Sequence, residues 1–156
     1  MRKNKDNKNK KTPHYLWGHH AVLSALRNPK RIIKKLYLTE KNKLYVDQQN
    51  ILGRHPFKIL HLNDIDKLFQ QQIVTHQGFV LETLPLQKKD LREVINSKLI
   101  VALDQVTDPQ NIGAIMRSSK VFGASSIITT KKHSPGETGS LAKAASGALE
   151  LSLIHI

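Results

Sequence analysis

The sequence predicts an α/β protein in two parts, a small amino-terminal α/β unit followed by part of a parallel-sheet unit. Three observations carry this. Apolar strand-like runs alternate with helical segments from Tyr15 onward. Leu99-Ile100-Val101-Ala102-Leu103 is an unbroken apolar run of the kind found in parallel strands buried on both faces. A polar turn containing Asp108-Pro109 then leads from that run straight into a helix. The boundaries read as a tail over 1–13, a first unit over 15–86, a linker over 87–97 and a second unit over 98–156.

Residues 1–13 carry Arg2, Lys3, Lys5, Lys8, Lys10 and Lys11 against one acid, Asp6, with hardly any apolar side chain. Such a tail cannot offset its ordering entropy and is expected to be disordered. It reads either as a sequence-independent grip on a polyanion or as a solubilising extension. Gly18 to Asn28 predicts a helix, with Ala21, Val22, Ala25 and Leu26 on one side and a stop at Asn28-Pro29. Ile32 to Leu38 predicts a strand, Leu44 to Leu52 a helix and Phe57 to His61 a short strand. Asn63-Asp64-Ile65-Asp66 opens a helix capped by its asparagine, and Phe79 to Leu84 is a strand. The charged stretch from Leu86 to Asn96 is a linker or an exposed helix. Beyond Leu99–Leu103 come a helix over Asn111 to Phe122, a strand over Ser125 to Thr130 and an Ala- and Leu-rich helix over Ser140 to Glu150. The apolar run Leu151–Ile156 ends the sequence where a further crossover would be needed, so the second unit reads as incomplete.

Composition narrows the class. The apolar runs fall far short of the ~20 residues that span a bilayer. The polar amino terminus has no hydrophobic segment after its charges, so it is not a secretory signal. There is no cysteine, which excludes disulfides and thiolate metal sites, and a reducing, cytoplasmic setting is the simplest account. The histidines show no metal-ligand spacing, and His19-His20 should diverge on a helix, so no metal is expected. Lys and Arg total 25 against 12 acids, a net charge of +13. Such an excess is common where nucleic-acid phosphates are neutralised; the alternative is a merely cationic surface. Arg27, Lys30, Arg31, Lys34 and Lys35 cluster around the first helix–strand connection as a phosphate-facing patch or a solvated face. Aromatic content of 5% argues against a stacking platform for single strands.

The turn and helix after Leu103 hold the candidate chemistry. Asp108-Pro109 restricts the backbone, Asn111 can cap the helix or reach out, and Gly113 permits close approach of a backbone or ligand. Arg117, four residues on, shares the face of Gly113. Spacing alone leaves open a purely structural junction. The pattern Asp108-Pro109-x-Asn111-x-Gly113-Ala114-x-x-Arg117-Ser118, followed by Phe122-Gly123-Ala124, resembles the first signature motif of the TrmH/SpoU family of RNA ribose methyltransferases. Lys143-Ala144-Ala145-Ser146-Gly147-Ala148-Leu149-Glu150 is similar to a second family stretch. Gly18-His19-His20-Ala21-Val22 and His76-Gln77-Gly78 resemble the substrate-binding unit of the branch that modifies guanosine in 23S ribosomal RNA.

The resemblance implies a SPOUT-class fold with a trefoil knot, methyl transfer from S-adenosylmethionine to a ribose 2′-hydroxyl of ribosomal RNA, and a homodimer without membrane or metal. It implies Asn111 and Arg117 as catalytic residues and His76, Gln77 and Gly78 as RNA-contacting, Gly78 otherwise serving only as a turn. A guanidinium holds its proton, so gripping a phosphate or stabilising the forming alkoxide suits Arg117 better than acting as base. The family's donor pocket is built from a Gly-Ser-Glu-Gly-type loop and an Asn-Val-Ser segment; neither occurs here, so cofactor-binding residues stay unknown. Leu151–Ile156 also lacks the proline the family often places after its Glu, which points to truncation or an altered frame near Leu151. The polypeptide alone is expected not to bind S-adenosylmethionine. The rival reading is a non-catalytic RNA-binding module. Gly136-Glu137-Thr138-Gly139 is a bare G-x-x-G without basic residues and carries no RNA-binding argument.

Overall fold

The computed structural model describes residues 13–70, 72–87, 91–94, 96, 98–130 and 134–150, and the backbone of 152–155. The basic tail up to residue 12 and parts of the 87–97 segment lie outside the described residues. The elements run β1 (His14–Trp17), α1 (His19–Arg27), β2 (Ile33–Leu38), α2 (Glu40–Gln48), β3 (Phe57–Ile59), α3 (Leu62–Asp66), β4 (Phe79–Thr83), β5 (Ile100–Leu103), α4 (Pro109–Val121), β6 (Ser126–Thr129), α5 (Gly139–Ala145) and β7 (Ser152–His155). They build a four-stranded sheet in the order β1-β4-β2-β3 and a three-stranded sheet in the order β5-β6-β7. The first is mixed, with β2 and β3 parallel and the β4 pairings antiparallel. The second is parallel throughout. The predicted α/β architecture is therefore met.

Several local expectations are corrected. The second helix starts at Glu40 rather than Leu44, because the Thr39 hydroxyl accepts the Asn42 N–H and caps it there. That helix buries only Val46, so its apolar pattern marks the boundary poorly. Asn63 is not a cap: the helix begins at Leu62, with His61 at the cap position. Between Leu86 and Asn96 the described residues form a short 3₁₀ turn, Leu91–Glu93. β5 is an edge strand with Ala102 exposed; β6 takes the middle of the sheet. The Ala-rich segment breaks at Ser146 and Gly147, whose φ values of 47° and 86° are left-handed, before a 3₁₀ turn over Ala148–Glu150. Part of the terminal apolar run forms β7, which pairs with β6 from Ser126↔Ser152 to Thr129↔His155.

Strand alternation sorts the core. Leu16, Leu36, Leu38, Phe79 and Leu81 face one side of the first sheet and join Leu103, Ile112, Met116, Ile127, Leu141 and Leu149 in one apolar cluster. Tyr15, Trp17, Tyr37 and Val80 face the other side, against Ile65 and Phe69. The two sheets thus share a continuous core, joined through α1 and α5. Gly139 fits where it does because a side chain there would strike the Trp17 ring, and a side chain at Gly147 would strike Ser24.

A buried ionic cluster closes the same junction. The Arg31 side chain is fully inaccessible. Its Nη1 donates to Glu137, its Nη2 to Glu150 Oε1 at 2.6 Å, and its Nε to Glu150 Oε2 at 3.3 Å. Nη1 also reaches the Leu84 carbonyl at 3.3 Å. Asn28 Nδ2 donates to Glu150 at 2.6 Å, His14 Nε2 lies 3.0 Å from Glu137, and the Leu86 N–H donates to Glu137 at 2.9 Å. Arg31 is therefore removed from the predicted phosphate patch: two carboxylates hold it inside the protein. Burial by itself would raise the Glu137 pKa. The His14 hydrogen bond, the Arg31 charge and the Leu86 N–H outweigh it and hold the carboxyl below the usual range.

Arg31→Ala leaves both carboxylates buried without their cation and should cost ~3–5 kcal/mol in urea unfolding. Because the folded pKa of Glu137 is depressed, its contribution is complete above the unfolded value and lost as pH falls through the folded one. Wild-type stability should accordingly fall between pH 5 and 3 more steeply than that of Glu137→Gln, read as urea midpoints; equal slopes would contradict the assignment.

Candidate functional site

The loop after β5 delivers α4 with its first turn pinned. Asp108 is the N-cap, its carboxylate accepting the Gln110 N–H at 2.9 Å, and Pro109 opens the helix with its φ already set. Ile112, Gly113, Met116 and Ser119 face inward. Gly113 is where α4 meets α5: a Cβ there would come within 2.6 Å of the Ala144 carbonyl carbon and 2.7 Å of the Ala145 nitrogen. Close approach is thus of a backbone, not of a ligand. One turn later Arg117 donates from Nη1 to the Ala144 carbonyl oxygen, in the last turn of α5. A cation there also meets the negative end of that helix. At the other end of α5, the Thr138 hydroxyl accepts the Leu141 N–H at 3.2 Å.

Between these helices lies an open cleft of ≈ 430 Å³ lined by Gln110, Arg117, Lys143, Ala144 and Ser146. Its wall is cationic and polar. Of the two residues singled out on α4, Arg117 lines the cleft, while Asn111 is exposed and outside the lining. Gln110 stands at the place on the wall that Asn111 was expected to shape. The sequence reading missed Gln110, Lys143 and Ser146 as lining residues. The signal available was helical spacing, since residues 110 and 117 are two turns apart on one face.

The histidine-glutamine-glycine segment is a tight turn. Gln77 and Gly78 have φ of 57° and 72°, and the Phe79 N–H donates to the His76 carbonyl at 3.0 Å. A side chain at Gly78 would come 2.7 Å from Asn42 Nδ2. His76 is buried; its Nδ1 accepts the Gly78 N–H at 3.0 Å, so Nε2 carries the proton shared with Asp66 at 3.0 Å. His76 and Gly78 are therefore corrected from RNA contacts to the frame of the turn. Gln77 remains exposed; its Oε1 accepts the His19 N–H at 3.0 Å and its carbonyl accepts from Asn42 at 3.0 Å. Arg27, Lys30 and Lys34 are exposed, and Lys35 lies over the Tyr37 ring at 5.7 Å. None of these cations is among the residues that line the cleft. Among the described residues, no group of three His, Cys, Asp or Glu side chains could hold a metal, and no helix is long and apolar enough to cross a membrane.

Residues 98–156 match the SpoU rRNA Methylase family, and residues 15–89 match the family described as RNA 2′-O ribose methyltransferase substrate binding. The chain is 34% identical over 143 residues to the 23S rRNA (guanosine-2′-O-)-methyltransferase RlmB of Ralstonia nicotianae, covering 86% of this chain and 57% of that one. It is 33% identical over 152 residues to the RlmB of Acinetobacter baylyi, covering 88% and 59%. The fold superposes on the SpoU methyltransferase AviRb of Streptomyces viridochromogenes, solved in complex with the cofactor AdoMet. That TM-score is 0.73 at 17% identity, covering 99% of this chain and 59% of that chain. The chain spans about half the length of the curated relatives it matches. A mixed α/β unit ahead of a parallel sheet is the architecture these two family descriptions and the superposed structure share. The chain belongs to the SpoU rRNA methylase family.

Gly113→Ala should push α4 off α5 and separate Arg117 from the Ala144 carbonyl. A loss of ~1–3 kcal/mol in urea unfolding is expected, as for other overpacked contacts; unchanged stability would mean the helices do not meet there.

Proposed function

We propose that this chain grips ribosomal RNA and presents a ribose 2′-hydroxyl for methylation, with the 15–86 unit binding RNA and the α4–α5 cleft holding the target nucleotide's phosphodiester. The observation that carries this is the placement of Arg117 and Lys143 on one concave wall, in a family whose relatives are named for ribose methylation. A phosphodiester is anionic, and the planar guanidinium can offer it two parallel N–H groups. Anchoring Nη1 on the Ala144 carbonyl fixes the fork before RNA arrives, so little ordering is left to be done on binding. With the phosphate fixed, the adjacent 2′-hydroxyl is oriented, and the same positive charge stabilises the alkoxide that develops as its proton leaves. Asn111, exposed on the neighbouring face, is proposed to touch the flanking RNA.

S-adenosylmethionine is the donor expected from the family. The described residues of the cleft do not fit it: Arg117 and Lys143 repel a sulfonium, and Gln110, Ala144 and Ser146 offer no apolar slot for adenine. Cytoplasmic location and homodimerisation of the whole protein are part of the same proposal.

Filter binding of a structured ribosomal RNA fragment tests the grip. Arg117→Ala should weaken binding about tenfold or more, since charge-assisted hydrogen bonds contribute ~1.5–3 kcal/mol, and Arg117→Lys should not restore it because a point ammonium lacks the fork. Each lost phosphate contact should also shrink the salt slope by ~0.7–0.9. Wild-type binding by Arg117→Lys would refute the role. Calorimetry of the 156-residue chain with S-adenosylmethionine should show no stoichiometric heat; tight binding would show that the donor fits after all.

A further inference from the structure

The basic cleft is bordered by a cluster of rings that composition alone argued against. Lys143 separates the two: a side chain at Gly18 would meet Lys143 Cγ and Gln77 Oε1, each at 3.3 Å. The His20 carbonyl lies 3.5 Å from where a Cβ on Gly147 would sit, next to the Ser146 that lines the cleft. The first turn of α1 is therefore the rim of the cleft. That turn carries His19 and His20, whose ring centroids are 5.1 Å apart at 80°, contrary to the expectation that they diverge. Tyr45, from α2, stands 5.0 Å from His19 at 55°, and Phe79 closes the base edge-on at 5.2 Å. His20 is exposed and Tyr45 is 36% exposed.

We propose that His20 and Tyr45, whose rings both pack against the His19 ring, form a stacking seat for one nucleobase of single-stranded RNA, beside the nucleotide whose phosphate occupies the Arg117–Lys143 cleft. The proposal rests on the RNA reading above. Rings stack on any base because every base offers a π face, and splayed single-stranded nucleotides are the form of RNA that presents it. Seat and cleft divide the work: the cations take the phosphate, and the rings take the base that the same chain of RNA places next to it. His19 suits an uncharged platform, since burial, and then the neighbouring His20, pushes its imidazole below the ordinary value. Gln77 locks the arrangement by holding the His19 N–H, which gives the tight turn a role in recognition through the rings rather than through its own contacts.

The test uses the full 156-residue chain and fluorescence anisotropy with a short single-stranded RNA, and with an RNA of the same length whose nucleotides are abasic. The wild type should favour the base-bearing RNA by at least about fivefold, the lower end for one stacked base. His20→Ala and Tyr45→Ala should lose that preference while keeping the affinity for abasic RNA and its salt slope; Tyr45→Phe should keep the preference. In the unmutated chain, the His20 ring proton resonances should move upfield as RNA is added, a readout independent of any variant's folding. Equal affinity for both RNAs, or unmoved His20 resonances on saturation, would overturn the seat. If Arg117→Ala weakens binding of both RNAs while the ring variants match wild type, the seat falls and the RNA reading stands. If the wild type binds neither RNA, both fall together.

Discussion

The Arg31–Glu137–Glu150 cluster is the constraint on which the arrangement of the two sheets depends. A guanidinium with no accessible surface is costly to bury, and here its charge is met by two carboxylates that come from the far half of the chain. Glu137 belongs to the segment just ahead of α5 and Glu150 to the 3₁₀ turn just after it. The cation thus clamps both ends of α5 to the approach to β2. Asn28, His14 and the Leu86 N–H supply the hydrogen bonds that the carboxylates need once water is excluded. Moving either sheet relative to the other would strand a buried charge.

From that clamp the site follows by contact. Fixing α5 fixes Lys143 and the Ala144 carbonyl, and the Ala144 carbonyl in turn fixes Arg117 on the opposing helix. The helices approach closely enough for this only because Gly113 lacks a side chain, and α5 reaches the edge of the first sheet only because Gly139 lies against Trp17. α1 is brought to the rim of the cleft by its seat against Gly147 and Lys143. The amino-terminal unit therefore abuts the cleft through the start of α1. The same clamp that holds the fold together thereby sets the distance between the first turn of α1 and the cleft.

The two kinds of positive charge are physically distinct. Arg31 is neutralised internally, whereas Arg117, Lys143, Arg27, Lys30 and Lys34 face the surface or the cleft. The second group can attract a polyanion, and within it Arg117 and Lys143 line the cleft.

What the sequence determined alone was the alternation of strands and helices, the turn into α4, and the shared face of Gly113 and Arg117. These rest on interactions between near neighbours in the chain: apolar periodicity, the fixed φ of Pro109, and the one-turn spacing of Gly113 and Arg117. It also carried the family signature, because that motif is contiguous. What only the tertiary structure decided was which cations stay at the surface and which residues surround Arg117. Arg31 looked like its lysine neighbours until Glu137 and Glu150, more than a hundred residues away, arrived beside it. His76 looked like a ligand contact until Asp66 and the Gly78 N–H took both ring nitrogens. His19, His20 and Tyr45 could not be read as one surface, since α1 and α2 are brought together by the sheet beneath them. Charge and ring chemistry are properties of a residue, but exposure and partnership arise from packing between segments distant in the chain, and local pattern holds no record of that distance.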